Sequence, residues 1–331
     1  MSGVDLAKAV GYQQEDKPVA WNQRDLLVYA VGIGAKKDDL SLANELDKAW
    51  APFPTYPVVL GFKGTSQDVV DFRQLMAGGK STPGLPKLNP DRVVHASQSI
   101  EILKPLPAVS GSGWKLKRRV TGVTENSEHW QWDPRSFSSD DAAETGLLVE
   151  DETVLVDGQG TPYAKLYSAA FNLGARPTGA NFSKRIAGPP QAKPVPKDRK
   201  PDWVIQDQTT PEQAILYRLS GDYNMMHIDP KIGQASGFGG VILHGLATYG
   251  FAARALVSAI GGNDPKSLRF FALRFTAPVK PGDALETAVW EVGPGPDGTT
   301  EVTFITKDVT TGKVCLGAGV AYIKKLEKGK L

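Results

Sequence analysis

Apolar residues fall at helical spacing along WNQRDLLVYAVG, residues 21 to 32, with Leu26, Leu27, Val28 and Val31 behind Asn22 as an N-cap. A second short helix is expected from Asp39 to Lys48, ahead of the proline-broken APFPTYP. Residues 58 to 90 are rich in glycine, proline and serine and read as an irregular passage outside the core. From Asp91 the period shortens to two. RVVHASQSIEILKPL, GWKLKRRVTGVT, HWQWD, GLLVEDETVLVD and YAKLYSAAFNLG follow one another as strand-like runs, the pattern of an antiparallel sheet.

AGPPQAKPVPKDRKPD, residues 187 to 202, has almost no apolar side chain to bury and is expected to run extended as a linker. It separates a first unit, 1–186, from a second, 203–325, with 326–331 as a tail. The second unit repeats the order of the first. Thr210, Pro211 and Gln213 supply an N-cap, a first-turn proline and a capping-box residue for PEQAILYRL. A short helix and a glycine-rich turn are expected over 230–240. HGLATYGFAARALVSAIGG then makes a long helix, and LRFFALRFTAPV, ALETAVWEV, TEVTFITKDV and KVCLGAGVAYIK make strands. Aligning DLLVYAVGIGA with QAILYRLSGDY places Tyr29 on Tyr217 and Gly34 on Asp222, and KPLP at 104–107 echoes APVKPG at 277–282. The inferred duplication gives an α+β architecture of two sheets, each with its helix, joined edge to edge.

Composition narrows the function classes. Lysine and arginine total 38 against 36 acidic residues, so no nucleic-acid partner is indicated. The single cysteine, Cys315, lies in a strand-like run and reads as a core thiol, and no multi-cysteine metal site or disulfide framework can form. HExxH, P-loop and dinucleotide motifs are absent, and no metal or cofactor is expected. No apolar run reaches the length of a signal peptide or membrane span. Gly329, Lys330 and Leu331 resemble the S-K-L peroxisomal address, with glycine in place of serine.

The chemistry concentrates in YRLSGDYNMMHIDP, residues 217 to 230. Asp222, Asn224 and His227 lie within six residues of loop between two helices, where a carboxylate, an amide and an imidazole can face one water molecule. Asp222 and Asn224 also fit the plainer role of turn formers after a helix. Gly245 opens the next helix, so its amide is free and nothing blocks close approach by a carbonyl oxygen. His244, just before it, is expected to bond main chain. Acid, base and oxyanion donor suit addition of water to, or its loss from, a double bond conjugated with a carbonyl.

YRLSGDYNMMHIDP with GFGGVILHGLATYGFAARA closely resembles the signature of the type 2 enoyl-CoA hydratases, MaoC-like double hot-dog proteins that include the hydratase part of peroxisomal multifunctional enzyme type 2. The resemblance extends through DLLVYAVGIGA, FPTYPVVLG, HASQSIEILKPLP and LRFTAPVKPGD. It implies a hot-dog fold in each half, a long helix wrapped by an antiparallel sheet, the first half being degenerate and binding the acyl tail. It further implies reversible hydration of trans-2-enoyl-CoA to (3R)-3-hydroxyacyl-CoA without metal or redox cofactor, CoA being part of the substrate. By motif position Asp222 and His227 are the catalytic pair, Asn224 places the water and Gly245 donates to the thioester oxygen. His95, Ala96 and Phe275 fall where the family touches acyl-CoA, and Glu45 matches a supporting glutamate. A homodimer, a peroxisomal location and an import receptor bound through Gly329, Lys330 and Leu331 are also implied.

This chain departs from the family at Met225 and Met226, which replace Pro-Leu, at Ala96, which replaces a glycine, and in NLGARPTGANFSKR after the last strand of the first half. Two further readings therefore stand beside the hydratase: a dehydratase for a specialised acyl or polyketide thioester, and a non-catalytic acyl-thioester binding protein.

Overall fold

The computed structural model describes residues 3–77, 80–89, 92–125 and 146–326. The first half contains helices α1 (Leu6–Ala9), α2 (Gln23–Gly32), α3 (Leu40–Ala43), α4 (Leu60–Lys63) and α5 (Phe72–Ala77). Its strands are β1 (Lys17–Pro18), β2 (Val93–Ile102), β3 (Lys115–Glu125), β4 (Gly146–Val156), β5 (Pro162–Leu173) and β6 (Ser183–Arg185). The second half contains β7 (Trp203–Gln208), α6 (Gln213–Arg218), α7 (Pro230–Ala235), α8 (Gly245–Ala259), β8 (Leu268–Phe275), β9 (Ala284–Pro294), β10 (Thr300–Asp308) and β11 (Val314–Ile323).

All strands join in one 11-stranded antiparallel sheet, ordered β1-β3-β4-β5-β2-β8-β11-β10-β9-β7, with β6 added on β3. Read from either end, the order repeats itself with β1 matched to β7, β2 to β8 and so on. The two halves meet where β2 pairs with β8, from Ser97 opposite Arg274 to Glu101 opposite Phe270. This is the double hot-dog arrangement, α+β in class. The inferred duplication is visible in the strand order, and edge-to-edge joining makes one sheet of the two.

Local chemistry explains where the elements begin. Asn22 Oδ1 accepts the Asp25 N–H at 3.1 Å and Asp25 Oδ2 accepts the Asn22 N–H at 3.0 Å, a capping box at the start of α2. The helix expected over 39–48 stops at Ala43, because Asn44 and Asp47 side chains accept the N–H groups of Leu46 at 3.2 Å and Ala49 at 2.7 Å and bend the chain into turns. The irregular reading of residues 58–90 fails at its start. Tyr56–Val59 form a 3-10 turn with Pro57 at its opening, α4 follows directly, and Tyr56, Val59 and Leu60 are fully buried in the main core.

The expected cap of the first helix after the linker also moves. Thr210 does not cap α6, which starts only at Gln213. Gln213 accepts the Thr210 N–H at 3.4 Å and donates its amide to the Gly32 carbonyl at 2.8 Å, tying α6 to the end of α2. Among the described residues only the second half has a long helix, α8. Where the family resemblance implies one in the first half, the chain makes the two short turns from Tyr56 to Lys63.

Helix α8 is nearly all buried. Its Gly250 leaves room for Ile33, which a Cβ at 250 would strike. Arg254, on the same helix, donates to the Ile33 carbonyl at 3.1 Å and pairs with Asp207 of β7 and with Asp39 at 3.6 Å, so α8 is bonded to both halves. Residues 187–202 form no regular element; Thr303 of β10 donates to the Lys193 carbonyl at 2.9 Å and the Lys193 ammonium reaches Glu301 at 2.5 Å. HWQWD and the tail residues Gly329, Lys330 and Leu331 lie outside the described residues. Among the described residues no helix is long and apolar enough to cross a membrane.

Candidate active site

The loop from Gly221 to Asp229 hangs between α6 and α7 and is fixed at both ends. Gly221 adopts φ +133° against Lys63, whose main-chain nitrogen would lie 2.9 Å from a Cβ at this position, so only glycine fits. Asn224 Oδ1 accepts the Met226 N–H at 3.1 Å and starts a 3-10 turn over Met225–His227. Asp229 then caps α7, with Pro230 in the first turn. Asn224 and Asp222 are thus turn formers, as the plainer reading of the sequence has it. Their side chains nevertheless leave groups over: the Asn224 amide N–H₂ and the second oxygen of Asp222, whose Oδ1 accepts the Asn224 N–H at 3.2 Å.

His227 is buried, and its Nδ1 lies 2.9 Å from the Ile242 carbonyl oxygen. A carbonyl can only accept, so Nδ1 carries the proton and the Nε2 lone pair is available. His244 is buried as well, and its Nε2 lies 3.1 Å from the Asp222 main-chain oxygen. By the same reasoning Nε2 carries the proton there, leaving Nδ1 buried without a partner. The two imidazoles stack with centroids 3.7 Å apart and planes 27° from parallel, and Tyr217 packs on His244 at 5.0 Å.

Burial dominates the electrostatics. It raises the Asp222 carboxyl above the usual carboxylate range, with His227 and the Asn224 N–H pulling in the other direction. It lowers His227 below the usual imidazole range against the attraction of Asp222. His244 is pushed well below that range by burial and then by the neighbouring His227. Burial thus favours uncharged rings, while Asp222 and His227 each favour the other's charged form.

Gly245 is the first residue of α8, so its N–H has no carbonyl within the helix. A Cβ there would press on the Phe275 ring at 3.2 Å, and Phe275 in turn packs on His95 at 4.8 Å. Gly245, Phe275 and His95 therefore line one end of the β2–β8 seam. Burial holds the His95 imidazole down at about 4, and its Nε2 has no hydrogen-bond partner.

Two of the residues matched to the family by motif do not face this site with their side chains. Ala96 is the extra residue of a bulge between His95 and Ser97, and its methyl packs with Ala169 and Phe171, apart from the main core. Only its main chain is on hand for a substrate. Glu45 is exposed in the turn after α3. The short helix that would have carried it inward ends two residues earlier.

The sequence reading placed His244 as a main-chain partner, which it is, but not as a neighbour of His227 and Asp222; the HG pair at a helix start, one loop after GDYN, was the available signal. Asp222, His227 and His244 offer ligand atoms within 4.8 Å of one another, the spacing of a metal site. Stacked rings, however, do not aim both free lone pairs at one point, and the donor set does not fit a shared ion.

Comparison with known proteins identifies the family. Residues 20–158 match the MFE-2 hydratase 2 N-terminal domain and residues 193–314 the MaoC like domain. A probable dehydratase, NIT22, from Ajellomyces capsulatus is 36% identical over 93% of this chain and 80% of its own length. A peroxisomal enoyl-CoA hydratase 2 from Arabidopsis thaliana is 30% identical over 89% of each chain. The solved MaoC-like dehydratase from Phytophthora capsici is 35% identical, superposes with a TM-score of 0.82 and is covered over its full length by 99% of this chain. With two matched domains in the family's order and a relative this similar over most of both chains, the protein belongs to the hydratase 2 family of MaoC-like hydro-lyases.

Proposed function

We propose that this protein adds water reversibly to trans-2-enoyl-CoA thioesters and forms (3R)-3-hydroxyacyl-CoA. The observation that carries this reading is the meeting of the Asp222 carboxylate and the His227 imidazole in one buried loop beside the free Gly245 amide. One water molecule donating to Asp222 and to His227 Nε2 would present its oxygen to C3 of the substrate, with Asn224 able to donate to that oxygen. The pair takes the proton from this water and returns one to C2. The Gly245 N–H holds the thioester oxygen as negative charge moves onto it. Addition of both groups from the loop side accounts for a single stereoisomer, and the CoA moiety is substrate, with no further cofactor in the scheme.

The same groups run the reverse elimination, and the dehydratase names of two relatives support that direction on some thioester. A peroxisomal location is supported by the name of the Arabidopsis relative, and a role in β-oxidation is proposed with it. A homodimer is proposed from the family resemblance. The test follows loss of the conjugated-thioester absorbance of trans-2-decenoyl-CoA with purified protein, with chiral analysis of the product. Formation of the 3R alcohol is expected; no turnover with short, medium and long acyl chains would overturn the reading.

A further inference from the structure

The proposed chemistry draws on two separate pieces of chain. Asp222 and His227 come from the loop after α6, and Gly245 comes from the start of α8. Two hydrogen bonds cross between these pieces, and each runs from a histidine ring of one piece to a main-chain carbonyl of the other. His227 of the loop donates to the Ile242 carbonyl at 2.9 Å, and His244 of the helix start donates to the Asp222 carbonyl at 3.1 Å. The rings that make these bonds lie face to face, 3.7 Å apart. The result is a reciprocal clasp with no other side-chain bond doing the same work across this gap among the described residues.

We propose that His244 is a positioning residue, which holds Asp222 in register with the Gly245 amide and fixes the plane of His227. It acts on Asp222 through that residue's own carbonyl, on His227 through its ring face, and on Gly245 through the next peptide bond. This inference rests on the proposed hydration. A histidine kept only for packing is a poor choice here. Its Nδ1 is buried without a partner, a desolvation penalty that an apolar ring of similar shape would avoid. Tyr217, 5.0 Å from the ring, shows that the surroundings accept an aromatic side chain. What an apolar ring could not supply is the N–H on Asp222. In an acid–base site, a displacement of about an ångström can cost roughly 100-fold in rate, so a bond that sets one reacting group against another has a direct kinetic value.

Two variants separate the bond from the packing. His244→Phe keeps a ring against His227 and Tyr217 and removes both nitrogens. His244→Gln keeps a donor at about the reach of Nε2 and removes the ring. We expect His244→Phe to fold with an unchanged or higher thermal midpoint, to lose roughly 10- to 100-fold in kcat on trans-2-decenoyl-CoA, and to keep KM within about twofold. His244→Gln should recover most of that loss. Native kcat in His244→Phe would overturn the proposal. So would parallel falls in kcat and thermal midpoint in both variants, which would mark a purely structural role. Nitrogen-15 NMR of the imidazoles reads the clasp without turnover: His244 should be the Nε2–H tautomer and His227 the Nδ1–H tautomer, and His227 should lose its single, fixed environment in His244→Phe. An inactive native protein with these tautomers would remove the hydration reading and leave the clasp; an active protein with the opposite His244 tautomer would do the reverse.

Discussion

Tyr29 and Tyr217 occupy matching places in the two halves, with ring centroids 6.0 Å apart, but each faces a different partner. Tyr29 bonds Thr55 at 2.8 Å at the opening of a short 3-10 turn, whereas Tyr217 packs on His244 at the opening of a 15-residue helix. Gly34 stands where the second half has Asp222. It adopts φ +86°, and a side chain there would run into the Phe251 ring of α8. The space that the Asp222 side chain uses in one half is filled in the other by Phe251 from the helix of its neighbour. The shared sheet and the tyrosine pair require only packing, and both copies kept them. The acid–base loop requires burial of polar groups, which costs stability, and only one copy carries it.

The largest expected effect is on turnover. Asp222→Ala or His227→Ala should lower kcat by roughly 100- to 10,000-fold, and replacing Lys36 or Lys37 beyond Gly34 should leave it within about twofold. Steady-state rates on trans-2-decenoyl-CoA decide this, and equal sensitivity in both halves would dissolve the comparison. Next in size, Gly34→Ala should cost about 2–3 kcal/mol in chemical denaturation, from the strained φ and the Phe251 collision together. A neutral result would mean that the first half could have kept a side chain there.

The third prediction opposes stability to function. Because burial raises the Asp222 carboxyl, its protonated form is favoured on folding; that stabilisation is present at low pH and is lost as pH rises through the raised value. Above the usual carboxylate range the buried group is therefore a net cost to folding. Asp222→Asn should raise the unfolding free energy by about 1 kcal/mol while turnover is lost. Destabilisation in this variant would show that the charge is better solvated than its burial implies.

Histidines act in the opposite sense. Burial lowers His227, His244 and His95, the last to about 4, so the stability they contribute is complete above the usual imidazole range near about pH 6.5 and fades as pH falls through the lowered values. Thermal midpoints from neutral pH down to about 4 should show this decline, and His95→Phe should flatten part of it.

Much of this was legible in the sequence because it rests on local rules. The strands β2 to β5 and β8 to β11 follow from alternation, and the cap of α2 from Asn22 and Asp25. Asp222, Asn224, His227 and Gly245 are singled out by crowding and helix position, and the structure sets Asp222 and His227 against His244, the residue before Gly245. What escaped was set by contacts distant in sequence. Gln213 spends its side chain on Gly32 as well as on its own helix, which shifts the start of α6. The Tyr56–Leu60 stretch looks like loop until Trp21, Tyr29 and Ile100 are packed around it. Periodicity says nothing of a bulge, and the bulge is what turns Ala96 away while His95 faces Phe275.

The smallest effect belongs to the methionines that replace Pro-Leu. Asn224 has φ −60° and ψ 121°, the extended conformation that a following proline demands. Met225→Pro with Met226→Leu should therefore be accepted, stabilising the protein by up to about 1 kcal/mol and changing kcat less than the order in which acyl chains are preferred. A fall in kcat as large as that of His227→Ala would instead show that the methionines have reset the loop.

The β2–β8 seam has one more consequence. In a pair of identical chains, every residue along such a seam is present twice, and a change that widens one substrate wall alters the other copy's catalytic face as well. Joining the halves in one chain breaks that obligation. Residues such as His95 on β2 and Phe275 on β8 can be altered one at a time, so this end of the seam can change shape without touching the loop that carries Asp222 and His227.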